Sequence, residues 1–84
     1  MAKSSEAARE AILEVVSNQI ADGNPPETKE TFDRLVSEGL EEAEARRLIG
    51  CVVASEFFEI LKHRQPFDHD RYVRVLRKLP ELPE

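Results

Sequence analysis

The residues of this 84-residue chain that can do metal, nucleophile or proton chemistry are few. Its two histidines, His63 and His69, flank Pro66, and Asp68 and Asp70 lie beside them. Imidazole and carboxylate together can hold a divalent cation, but nothing in this spacing fixes a coordination geometry. His63 reads as positive charge at a helix C-terminus and His69 as a first-turn residue. Cys51 is the single cysteine, so the chain has no internal disulfide and no Cys/His set at zinc spacing. It sits within the apolar run Leu48–Ser55, where a thiol packs as a small hydrophobe rather than acting as a nucleophile. A glycine-rich phosphate loop and a nucleophile elbow are both missing from the sequence. The sequence therefore assigns no catalytic residue, no cofactor and no metal, and it points to a non-enzymatic protein.

Two polar side chains stand out because of the company they keep. Gln19 falls among Val15, Val16 and Ile20, and Glu56 falls among Val52, Val53 and Ile60. Counting about 100° per residue turns both toward the apolar side of a helix. A buried carboxylate must be hydrogen-bonded, neutralised or protonated. The simplest expectation is a coupled Gln19–Glu56 pair that fixes helix register. Arg34 and Tyr72 are further candidate partners, and a rotated helix would instead deliver Glu56 to solvent. A ligand-binding or enzymatic site built on Glu56 and Gln19 is the chemical alternative.

The elements that would position these residues are four amphipathic helices near 5–22, 25–38, 42–63 and 69–79, packed as one compact all-α domain over 1–84 with a long central third helix. In the first, Ala8, Ala11, Ile12, Val15, Val16 and Ile20 recur at helical spacing, Ser4 or Ser5 can cap the start, and Glu6 and Glu10 suit the positive end of the dipole. Gly23 ends it. Asn24-Pro25-Pro26-Glu27 then reads as a capping box with proline at the first helical position; Thr28 is a later cap candidate. Phe32, Leu35 and Val36 form the second stripe, closed by Gly39 and Leu40. The third helix opens on Glu41, Glu42 and Glu44 and closes on Lys62, His63 and Arg64, both clusters complementing the macrodipole. Its centre is apolar or small all round, so neighbours are expected on more than one face. Gly50 and Ala54 would admit one closely. Asp68 caps the fourth helix, with Tyr72, Val73, Leu76 and Leu79 inward and Arg71, Arg74 and Lys78 outward. Residues 80–84 are expected to fray.

At 35% charged and 40% hydrophobic the chain is too apolar for disorder and suits a small helical domain. The lone cysteine fits a reducing compartment, and the start lacks the apolar run of a signal peptide, so a cytoplasmic location is expected. No segment approaches the roughly 18 apolar residues of a membrane span. The net charge of −5 is uneven: residues 1–61 are strongly acidic, while residues 62–79 are net basic. The basic end either docks on the chain's own acidic helices or forms a patch for an acidic partner. The turn at Gly39 has helix-turn-helix spacing, but Glu41, Glu42 and Glu44 would meet phosphates with like charge, so duplex DNA is not an expected partner. Nucleic-acid binding through the basic C-terminal helix is the remaining alternative of that kind.

Partner-binding candidates are Phe57, Phe58, Arg71, Arg74 and Lys78. Adjacent Phe57 and Phe58 diverge by about 100°, so a small domain cannot easily cover both together with Cys51 and Leu61. A remainder left exposed would suit a protein partner or a homodimer. The segment Leu35–Ala43, with its hydrophobic-Gly-hydrophobic turn and acidic helix start, resembles the loop of ubiquitin-associated-type helical domains. Over most of the chain, Asn18-Gln19-Ile20, Asn24-Pro25-Pro26-Glu27, Arg34-Leu35, Glu38-Gly39, Glu44-Ala45 and Pro66-Phe67-Asp68 with Arg71-Tyr72 resemble a group of small bacterial helical proteins of unknown function. That resemblance implies a helical fold and a bacterial origin, and no activity.

Overall fold

The computed structural model describes residues 2–82, with side chains from Glu6 onward. Four helices follow one another: α1 (Ala2–Asp22), α2 (Pro26–Ser37), α3 (Glu42–His63) and α4 (His69–Lys78). No strand occurs among the described residues, and no helix is long and apolar enough to cross a membrane.

Helix α1 starts earlier than expected, at Ala2, because Ala2 and Lys3 are good helix formers. Ser4 and Ser5 therefore lie within the helix span, and no acid falls in its first turn. The expected side-chain caps at Ser4 and Ser5 lie outside the described side chains. The α1 C-terminus closes as foreseen. Gly23 takes φ +64°, its N–H reaches Ile20 O, and the Asn24 N–H reaches Gln19 O at 3.2 Å. That is a Schellman closure. The same pattern ends α2, where Gly39 has φ +105°, its N–H bonds Val36 O, and the Leu40 N–H bonds Leu35 O.

The capping box at the start of α2 does not form. Asn24 is already used in closing α1, so the cap position falls to Pro25, and no side chain caps the helix. With Pro25 as the cap residue, Glu27 falls at N2 rather than N3, out of register for the box. Glu27 is left with one carboxylate oxygen buried and without a hydrogen-bond partner. The cap of α4 does form, with Asp68 accepting the Arg71 N–H at 3.0 Å. The tail turns rather than simply fraying at its start: the Glu81 N–H bonds Lys78 O, and Leu79 is buried. Residues 83 and 84 of the expected frayed tail lie outside the described residues.

The long third helix is the hub. Leu48, Ile49, Val52 and Val53 of α3 form the core with Val16 of α1, Phe32 and Leu35 of α2, and Tyr72, Leu76 and Leu79 from α4 and its end. Helices α1, α2 and α4 each pack on α3, and α2 also touches α1 and α4. Helices α1 and α4 do not pack on each other. A gap therefore opens between them over the second half of α3.

The two kinds of glycine should respond oppositely to alanine. Gly39→Ala forces a Cβ into the left-handed region and should cost about 1 kcal/mol or more. Gly50 lies mid-helix, and a methyl there would meet Ile12 and Leu13 at 3.5 Å, an ordinary contact. Gly50→Ala should therefore stabilise by up to about 1 kcal/mol through helix propensity. Urea midpoints of the two variants check both signs.

Candidate functional site

The gap between α1 and α4 is a cleft of about 360 Å³. Val15 of α1, Val53, Phe57 and Ile60 of α3, and Phe67 of the α3–α4 connection give it apolar walls. Gln19, Glu56 and Tyr72 supply its polar groups, and Pro25 and His69 complete the lining. Phe67 stands against Tyr72 with ring centroids 5.6 Å apart, which places an aromatic lip over the buried phenol.

Glu56 is only 4% exposed. Its partner is Arg71, not Gln19. The guanidinium grips the carboxylate with two nitrogens, Nη2 at 2.9 Å from Oε1 and Nε at 3.2 Å from Oε2. Among the hydrogen bonds of the described residues none joins Gln19 to Glu56, so the expected coupled pair is corrected to two separate networks. Arg71 is corrected with it. The Asp68 cap sets the first turn of α4 against α3, and this turns Arg71 inward instead of leaving it with Arg74 and Lys78. The hydrogen bonds to Glu56 hold the Arg71 guanidinium above its ordinary value, against partial desolvation.

Gln19 belongs to the second network, together with Thr28, whose place in the sequence marks it as a candidate helix cap. Thr28 is fully buried, donates to Gln19 Oε1 at 2.9 Å and lies 2.8 Å from Tyr72 Oη. Tyr72 Oη is also 3.3 Å from Gln19 Oε1. Each hydroxyl has one proton, so two donors serve these three contacts, and either hydroxyl can donate across the 2.8 Å one. This chain ties α1, α2 and α4 together beneath the cleft. Burial pushes Tyr72 above the ordinary phenol value. Its bond with Thr28 opposes that shift, and the carboxylates of Glu56 and Glu27 reinforce it. The phenol therefore stays protonated at neutral pH. The signal for Thr28 in the sequence was its place one helical turn after the Asn24 junction, which faces the same side as Phe32 and Leu35.

The remaining candidates disperse. His63 pairs with Glu59 at 3.1 Å, and His69 lies 3.6 Å from Glu27, so the donors near Pro66 face different partners. Among the described residues no group of three or more His, Cys, Asp or Glu side chains is placed to hold a metal ion. Arg34, a candidate partner for Glu56, instead donates to Leu76 O and to Glu38. Arg74 and Lys78 are exposed on α4 and do not line the cleft. Phe57 and Phe58 are both exposed, at 47% and 61%, and Leu61 more so at 79%.

Unequal burial makes the Glu56–Arg71 pair asymmetric. Arg71→Met strands a carboxylate only 5% exposed, whereas Glu56→Gln frees a guanidinium whose side chain is already 34% exposed. Arg71→Met should lower the urea midpoint more than Glu56→Gln does. Tyr72 is the sole tyrosine and the chain has no tryptophan, so ultraviolet absorbance titrates it alone. Its midpoint should lie above 10, and the stability it contributes should persist below that pH and fall as pH rises through the raised pKa. A midpoint at or below the ordinary phenol value would show that the hydroxyl is solvated. Set against known proteins, the chain matches no family model, and no curated protein and no solved structure shows significant similarity to it.

Proposed function

We propose that the protein is a non-enzymatic helical interaction module whose docking surface is the distal half of α3 with the adjoining cleft. One observation carries this reading: Phe57, Phe58, Leu61 and Phe67, four of the five exposed large hydrophobic side chains among the described residues, lie on the last turns of α3 and the connection after it. Apolar surface concentrated in one region of a small domain marks a place where another chain binds. The polar groups of the cleft support the same reading against a catalytic one. Glu56 is occupied by Arg71, and the Tyr72 and Thr28 hydroxyls are occupied with Gln19, which leaves mainly apolar walls to contact an entering side chain. An apolar residue of a partner protein suits such walls better than a charged substrate does. The lone half-buried cysteine supports a reducing, cytosolic setting, and the resemblance to small bacterial helical proteins supports a bacterial one.

Site-specific photo-crosslinking in cells tests the proposal. A photoreactive phenylalanine at position 57 should yield a discrete protein adduct, while the same group at exposed Asp33 on α2 should not. Equal labelling from both positions, or no adduct from position 57, would remove the proposal's basis.

A further inference from the structure

We infer that the outer face of α3 docks a second copy of this chain, with the two α3 helices running antiparallel. This rests on the reading of α3 as a docking surface and names its occupant. Cys51, Ala54, Phe58 and Leu61 recur at spacings of three, four and three, the stripe of a helix-pairing seam. They lie on the side of α3 opposite its core residues Ile49, Val52 and Glu56. Cys51 and Ala54 are half-buried, and Phe58 and Leu61 are the two most exposed large apolar side chains of the described residues.

Two features of this stripe select a second copy and set its direction. The first is size. The stripe is small at its N-terminal half, with Cys51 and Ala54, and large at its C-terminal half, with Phe58 and Leu61. A two-fold, antiparallel pairing sets the large half of each helix on the small half of the other, so that Phe58 faces Ala54 and Leu61 faces Cys51 across the seam. A surface of this kind is self-complementary, as a two-fold interface requires. A parallel pairing instead sets Phe58 on Phe58 and leaves a gap at Ala54.

The second feature is charge. Helix α3 opens on Glu41, Glu42 and Glu44 and closes on Lys62 and Arg64. Lys62 and Glu44, the latter already paired with Arg47 at 2.6 Å, flank the stripe on the same side. In an antiparallel two-fold pair the basic end of each helix lies toward the acidic start of the other, and the helix dipoles also oppose. A parallel pair brings like ends together. Four seam side chains make a small interface, so the association is expected to be weak and concentration-dependent.

Cys51 provides a test of direction in the purified full-length protein. In the antiparallel register two Cys51 residues lie about 15 Å apart along the seam, from ten residues at 1.5 Å rise, well beyond the roughly 4.4–6.8 Å between Cα atoms that a disulfide spans. The native chain should therefore give no cross-linked dimer under mild oxidation. Leu61→Cys, which keeps Cys51, should give a covalent dimer, and the double variant Cys51→Ser with Leu61→Cys should give none. Leu61 is exposed, so its replacement leaves the fold intact, and the same separation along one helix prevents linkage within a chain. Sedimentation of the native protein should show a dimer that grows with concentration and is lost in Phe58→Lys. Cross-linking through Cys51 in the native chain would overturn the antiparallel pairing in favour of a parallel one. A strict monomer at high concentration, with no linkage of Leu61→Cys, would overturn self-docking altogether. In that event an adduct from position 57 to a different protein would keep the interaction reading, and its absence would remove that reading too.

Discussion

Glu56 is almost completely withdrawn from water on the helix that the other three helices pack against. A lone carboxylate there would be far costlier than a paired one, so the fold must bring a cation to it. Arg71 meets that demand from α4, and it can do so only if the first turn of α4 lies over the second half of α3. The Asp68 cap fixes that turn. Cap, guanidinium and carboxylate thus act as one clasp that sets the position of a ten-residue helix too short to be stable alone.

With α4 held in this way, Tyr72 on the next residue faces the opposite network. Its hydroxyl meets Thr28 and Gln19, so a single turn of α4 makes polar links to all three other helices. Helices α1 and α4 are joined through this link without packing on each other. The cleft is the consequence: two helices tied at the base and separated above it, with apolar side chains on either side. The polar groups near its base hold the architecture together, and the apolar groups along its walls are the part left free to meet something else.

A domain of this size has too little interior to bury every apolar side chain, and most of what remains exposed gathers on α3 and the loop after it. The clustering follows from the geometry of one long helix. Its core face takes the packing of the other three helices, and the opposite face is left unpartnered. The acidic and basic ends of the same helix then give that face a direction.

Local residue patterns specify the helices and where most of them end. Periodicity located all four, Gly23 and Gly39 marked two closures by their need for positive φ, and Asp68 marked a cap, because each of these depends on a few neighbouring residues. Those patterns also marked Gln19 and Glu56 as polar groups on apolar faces, which is again a property of one helix at a time. The partners of those groups were beyond it. Gln19 and Glu56 each looked suited to the other, but Arg71 and Tyr72 lie on the same turn of α4, and only the packing of α4 across α3 decides which of them reaches which group. The capping box at Asn24 failed for a similar reason: one residue was claimed by the end of α1 before α2 could use it. Hydrogen-bond partners separated by 15 to 53 residues are set by how helices cross, and a helix's own sequence encodes its faces but not the angle at which a neighbour meets them.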